Sequence, residues 1–159
     1  MEKNPPFLPP SLSPWSKAEF TKFHHGALTD RIIACAIEVH KELGPGFLEK
    51  VYEEAFALEL ERQKIPHERQ VSVRIRYRQL AVGMHRIDLI IDSKIVVELK
   101  AVKAIDDDHL ATCLSYLKAT KLRVGLIINF AEAKTRVRRV RRGPDLTTET
   151  GREGEREGY

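Results

Sequence analysis

The sequence predicts an α/β fold: a mixed β-sheet, made of an antiparallel three-strand meander plus a further strand, flanked by helices. Three observations carry the prediction. Two helix-periodic segments come first, three β-type segments follow, and a third helical segment leads into an apolar run suited to a strand buried on both faces. Elements in that order close into a two- or three-layer sandwich.

The elements follow in chain order. Residues 1–27 are rich in proline and serine, with few periodic apolar positions, and read as a flexible N-terminal extension. A single domain is expected over residues 28–142. Thr29 can cap a helix running to about Leu43, with Ile32, Ile33, Ala36, Ile37 and His40 at helical spacing. Gly44-Pro45-Gly46 ends it. A second helix spans about 47–63; its inner stripe is Leu48, Val51, Tyr52, Ala55, Phe56 and Leu60, and its outer face is rich in Glu and Lys. Val71, Val73, Ile75 and Tyr77 then alternate with Ser72, Arg74, Arg76 and Arg78, a half-exposed strand with arginines on its open face. Strands at about 82–91 and 95–101 complete the meander. Asp106, Asp107 and Asp108 favour a helix start, so the third helix is placed at about 108–119. Leu122 to Asn129 is the doubly buried strand, and Val137 and Val140 suggest a last short edge strand. Residues 143–159 carry almost no apolar side chains and read as a disordered C-terminal tail.

Bulk properties narrow the function classes. A hydrophobic fraction of 42% over 159 residues supports one domain with its own core. No run approaches the roughly 20 apolar residues of a membrane span, and Met1-Glu-Lys-Asn-Pro-Pro-Phe lacks a signal-peptide pattern, so a cytoplasmic protein without membrane partners is expected. Cys35 and Cys113 fall in apolar helical patterns and read as small buried residues of a reducing compartment. A net charge of +4 permits nucleic-acid binding. No phosphate-binding G-x-x-x-x-G-K-[S/T] loop is present, which argues against a nucleotide hydrolase. Nothing in the sequence specifies an oligomeric state.

The chemistry concentrates in His85-Arg-Ile-Asp-Leu-Ile-Ile-Asp-Ser-Lys-Ile-Val-Val-Glu-Leu-Lys100. Each of two apolar runs carries a carboxylate, Asp88 and Glu98, where a strand favours valine. With Asp92, Ser93 and Lys94 as a three-residue loop, Ile91 faces Ile95 and Asp88 falls opposite Glu98, whereas a two-residue loop would put Asp88 opposite Leu99. Opposed residues have Cβ atoms about 5 Å apart. Two carboxylates that close repel each other unless a cation separates them, and oxygen donors alone suit Mg²⁺ or Mn²⁺. The alternative is a structural ion pair with Lys100 or an arginine.

Gly46-Phe-Leu-Glu49-Lys-Val-Tyr52 fits a G-x-x-E-x-x-Y signature. With Val39 to Gly46, Ile65-Pro66, Val97 to Ala101, Tyr116 to Thr120 and Ile128-Asn129-Phe130, the chain resembles the GxxExxY family, itself similar to the PD-(D/E)xK nuclease superfamily. The resemblance covers roughly Leu28 to Phe130. It implies a restriction-endonuclease-like sandwich. It also implies a metal-dependent nuclease, hydrolysing nucleic acid and DNA in the first instance, with Mg²⁺ (or Mn²⁺) as cofactor. Asp88 matches the metal-binding aspartate, and Glu98-Leu99-Lys100 matches the E-x-K triplet. Asp88, Glu98 and the Leu99 carbonyl then hold the ion, Glu49 is a candidate further ligand, and Lys100 acts on the attacking water and the phosphate. One position departs: Thr112 stands where related sequences place the glutamine of Q-x-x-x-Y, ahead of Tyr116.

Arg74, Arg76 and Arg78 on one strand, and Arg136, Arg138 and Arg139 near the C-terminal end, are candidate phosphate contacts. Tyr52, His109 and Tyr116 are supporting candidates; a core tyrosine and a structural histidine are the simpler readings of Tyr52, His40 and His109. Two other functions stay open: a non-catalytic nucleic-acid-binding module on the same fold, and a protein-interaction domain with a structural ion-pair cluster.

Overall fold

The computed structural model describes residues 25–143. It contains α1 (Gly26–Leu43), α2 (Glu49–Arg62), β1 (His67–Tyr77), β2 (Leu80–Ile91), β3 (Ile95–Lys100), α3 (Asp107–Thr120), β4 (Val124–Asn129) and β5 (Arg136–Arg141). The five strands form one sheet in the order β1-β2-β3-β4-β5. The β3–β4 pair is parallel, with α3 as its crossover, and the other pairs are antiparallel. The sheet is therefore mixed, as predicted. Among the described residues no helix is long and apolar enough to cross a membrane.

Two apolar cores make the sandwich three layers deep. On one face α1 and α2 lay Ile32, Ala36, Tyr52, Phe56 and Leu60 against Leu89, Val97, Leu126 and Ile128. On the other, Cys113 and Leu117 of α3 cover Ile87, Val96, Ile127 and Val140. Every residue of β4 is buried, which accounts for its unbroken apolar sequence. Gly125 lets α3 approach β4 closely: a Cβ there would sit 2.5 Å from the Cys113 sulfur. Both cysteine thiols are free and pushed up to about 12, chiefly by burial, and are inert.

Several boundaries differ from the sequence reading. Helix α1 begins at Gly26, so Gly26 and Ala27 belong to it rather than to an extension. Thr29 is not its cap. It lies in the first turn, donates its N–H to His25 O at 2.8 Å, and has a buried hydroxyl with no partner. Strand β1 starts at His67, earlier than the alternation shows, because polar residues 67–69 pair with Ile91, Ile90 and Leu89. Residues 1–24 of the expected extension and 144–159 of the expected tail lie outside the described residues.

The α1–α2 corner follows from local chemistry. Gly44 and Gly46 have φ of 66° and 117°, open to glycine at little steric cost. The Tyr52 hydroxyl closes the corner, donating to Gly44 O at 2.6 Å and accepting from Phe47 N–H. Its ring stacks on Phe130 with centroids 4.6 Å apart. Tyr52 is thus a core residue that fixes where α2 begins, and so where Glu49 stands. His40 is also structural: its Nε2 donates to the Glu132 carbonyl at 2.9 Å.

Candidate active site

The β2–β3 loop is the three-residue Asp92–Lys94 connection, with Asp92 and Ser93 at φ of 52° and 53°. Ile91 pairs with Ile95, Ile90 with Val96 and Leu89 with Val97. One further step sets Asp88 opposite Glu98. There the regular ladder ends and the carboxylates replace it. Asp88 N–H donates to Glu98 Oε1 at 3.1 Å, and Leu99 N–H donates to Asp88 Oδ2 at 2.9 Å. The Lys100 carbonyl is turned the other way, accepting from Phe130 N–H across β4. Because N–H and C=O of one extended residue project from the same edge, the Leu99 carbonyl faces β2 and Asp88.

The β1 side is irregular at the same level. Gln70, opposite Asp88 in the register, has φ of 50° and no pairing partner, and regular pairing resumes at Val71–Ile87. In a regular strand Ile87 and Leu89 would share a face. Here Ile87 joins the α3 core and Leu89 the α1–α2 core. The break in the pleat lies at Asp88.

Electrostatics mark the pair. Glu98 is only 6% exposed. Burial, then the Asp88 charge, pushes its pKa up to about 8. The Asp88 pKa is also raised, mainly by burial, against the lowering effect of the Leu99 N–H bond. Lys100 lowers both, acting through its charge with no ion pair to either. Glu53 and Glu49 of α2 add negative potential at Asp88.

The family model of the PD-(D/E)XK nuclease superfamily matches residues 26–140. The chain belongs to this superfamily. Comparisons with curated proteins and with solved structures returned no match. Nucleases of the superfamily generally use divalent metals, and the donor set here fits such an ion. Asp88 and Glu98 are all-oxygen donors, and their mutual repulsion is what a cation between them would relieve. Among the described residues no group of three or more His, Cys, Asp or Glu is arranged around one point. An ion held at the pair would therefore keep several waters, as Mg²⁺ usually does.

On the α2 side a cleft of about 490 Å³ is lined by Glu49, Glu53, Arg69, Gln70, Arg86 and Asp88, among others. Glu49 accepts from Ala101 N–H at 3.2 Å, tying the start of α2 to the residue after Lys100. Glu53 is not visible as a site residue in the sequence, where it merges with the Glu-rich face of its helix. It is 8% exposed and held by Arg69 at 3.0 Å and by the Gln70 side chain. Its spacing of four from Glu49 is the one available signal, since such residues share a helix face.

On the α3 side Tyr116 is half-buried, and its pKa is raised by burial and then by the charges of Glu98 and Asp88. His85 meets its ring edge-on at 4.9 Å and shares a 2.7 Å hydrogen bond with the Ser115 hydroxyl. Thr112, one turn earlier, is exposed. His109 forms a capping box with Asp106: His109 N–H donates to Asp106 Oδ1, and Asp106 N–H donates to His109 Nδ1, both at 3.0 Å. That is the role the structure gives it.

The arginines fall into two distant groups. Arg74, Arg76 and Arg78 are exposed on the β1–β2 hairpin. Arg136 and Arg138 are exposed on β5, at the other edge of the sheet. Arg139 is half-buried, and burial lowers its pKa first, then Arg141, with Asp30 of α1 opposing. It faces α1, unlike its neighbours in sequence.

Proposed function

We propose that this protein is a metal-dependent nuclease that hydrolyses phosphodiester bonds of nucleic acid, DNA in the first instance. The observation that carries the reading is the half-buried Asp88 beside the buried Glu98, mutually repelling, with Lys100 two residues beyond Glu98 on β3. Asp88 and Glu98 would hold Mg²⁺ or Mn²⁺, with the Leu99 carbonyl as a further donor and Glu49 at the border of the site. When bound, the ion lowers the pKa of a water and screens the phosphate charge. The chain supplies the rest. The Lys100 ammonium stabilises charge that builds on the phosphate, an electrostatic role worth on the order of 10² to 10³ in rate. The backbone N–H bonds hold both carboxylates in place before substrate arrives. Glu49 fixes the backbone after Lys100 through Ala101 N–H. Tyr116 borders the carboxylates from α3, and the exposed arginines supply phosphate contacts.

The test is cleavage of duplex and single-stranded DNA and RNA with Mg²⁺ or Mn²⁺. Asp88→Ala and Lys100→Ala are each expected to lose at least about 100-fold. Unchanged cleavage in both variants would sink the proposal. The exposed threonine at position 112 favours a second reading, a non-catalytic nucleic-acid-binding module. Tight, salt-dependent binding by the wild type without metal-dependent cleavage would select it.

A further inference from the structure

The β1–β2 hairpin carries a surface that neither the core nor the carboxylate site uses. Tyr77, Leu80, Val82 and Met84 are 62%, 71%, 62% and 61% exposed, and all lie within eight residues of chain at its tip. Arg74, Arg76, Arg78 and Arg86 are interspersed with them along the hairpin, and no Asp or Glu occurs from Arg69 to Ile87. None of those four arginines is ion-paired among the described residues. On the α3 side only the proximal arm is covered: Val73 packs against the α3 core and Ile75 meets Gly83, whereas Tyr77 and Leu80, paired further out, stay exposed. The opposite face is open from Ser72 and Arg86 outward. The register sets Arg74 beside Met84 and Ser72 beside Arg86, so cations and an apolar side chain share one open surface. That surface runs on to Arg86, which lines the same cleft as Asp88.

We infer that the distal hairpin is a nucleic-acid arm whose apolar tip engages a distorted or unpaired step of a duplex held at the cleft. This rests on the nuclease reading and adds the substrate class. The charge pattern selects the partner. A second copy docking tip to tip would set arginine against arginine. A polyanion meets four cations with no opposing carboxylate, and each phosphate contact releases counterions. Phosphate contacts alone leave Tyr77, Leu80, Val82 and Met84 in water. Apolar side chains inserted at a base step unstack it, which costs least where the step is already bulged or mispaired. The strand register shifts between Ile75 and Arg76, leaving Val82 as the unpaired extra residue between Ala81 and Gly83. Such a bulge re-aims side chains near the end of a hairpin. At about 3.3 Å per residue the tip lies roughly 25 Å from Asp88. That is about seven steps along a duplex laid on the arm.

The experiment uses the full chain in EDTA and fluorescence anisotropy with two labelled probes. One is a DNA duplex of about thirty base pairs; the other is the same duplex with a small central bulge. The wild type is expected to bind the bulged probe at least about tenfold more tightly, the scale of a single base-step term. Tyr77→Ser with Leu80→Ser and Met84→Ser should bring the two affinities within about twofold. The conservative Leu80→Met should keep the preference, and Arg74→Ala with Arg76→Ala should weaken both probes equally. Equal affinities in the wild type, or no binding to either probe, overturns the inference. So does a preference that survives the triple serine variant. A triple variant that turns a dimer into a monomer in the ultracentrifuge also overturns it, by making the tip a self-association surface. Cleavage separates the two readings. Mn²⁺-dependent cutting with equal affinities for the two probes upholds the nuclease without the arm, whereas bulge preference without cutting upholds the arm alone.

Discussion

Glu98 gives the sharpest quantitative test of the site. Its carboxyl is pushed from 4.5 to about 8 by burial and by Asp88. Between those values the folded chain holds a proton that the unfolded chain has released. Stability is therefore fully present below pH 4.5 and is lost as pH rises through 8. At 1.36 kcal/mol per pH unit the loss approaches about 5 kcal/mol, an upper bound shared by the coupled Asp88–Glu98 pair. The perturbation is Glu98→Gln, which keeps the shape and removes the ionisation. Urea unfolding in EDTA, followed by circular dichroism from pH 5 to pH 8.5, should show wild-type stability falling by several kcal/mol relative to the variant. Saturating Mg²⁺ should stabilise the wild type more at the high end, where the carboxylates are ionised and able to bind it, and should do little for Glu98→Gln. A wild type and a variant with the same pH dependence would refute the claim that the buried Glu98 is repelled by Asp88 at the site.

Other consequences follow from single contacts. Gly125→Ala should cost about 1–3 kcal/mol, because its methyl meets the Cys113 sulfur, and Cys113→Ala in the same chain should restore part of it in denaturant melts. Tyr52→Phe removes the hydroxyl that closes the Gly44–Phe47 corner and should cost about 1–2 kcal/mol, measured as a lower urea midpoint. It should also reduce cleavage more than melting predicts if Glu49 needs its present position. Arg69→Met leaves the buried Glu53 without its cation and should cost about 2 kcal/mol, while Glu53→Gln in that background should recover most of it.

Much of the site is legible in the sequence, because it depends on local rules. Asp92-Ser93-Lys94 as a loop sets the register, and the register sets Asp88 against Glu98. The same rules miss the switch of faces between Ile87 and Leu89, since a period of two assumes an unbroken pleat and Gln70 at positive φ breaks it. Thr29 reads as a cap because threonine caps in general, whereas here the helix starts three residues earlier, at Gly26, and Leu28 packs against the core. The hairpin strand shows its arginines in sequence. It does not show that its other large side chains stay in water, which depends on α3 covering only the proximal inner face.

Local sequence rules give the order of elements, the burial of β4 on both faces and, once the three-residue loop is granted, the facing of two carboxylates beside a lysine, all encoded in residues a few positions apart. Only the tertiary structure decided the rest. Glu53 turns to the cleft because Arg69 meets it from another element, and Arg139 turns from solvent because α1 brings Asp30 to it. Whether a charged side chain is solvated, paired or poised depends on which surface arrives from elsewhere in the chain. Periodicity describes only the surface a segment offers.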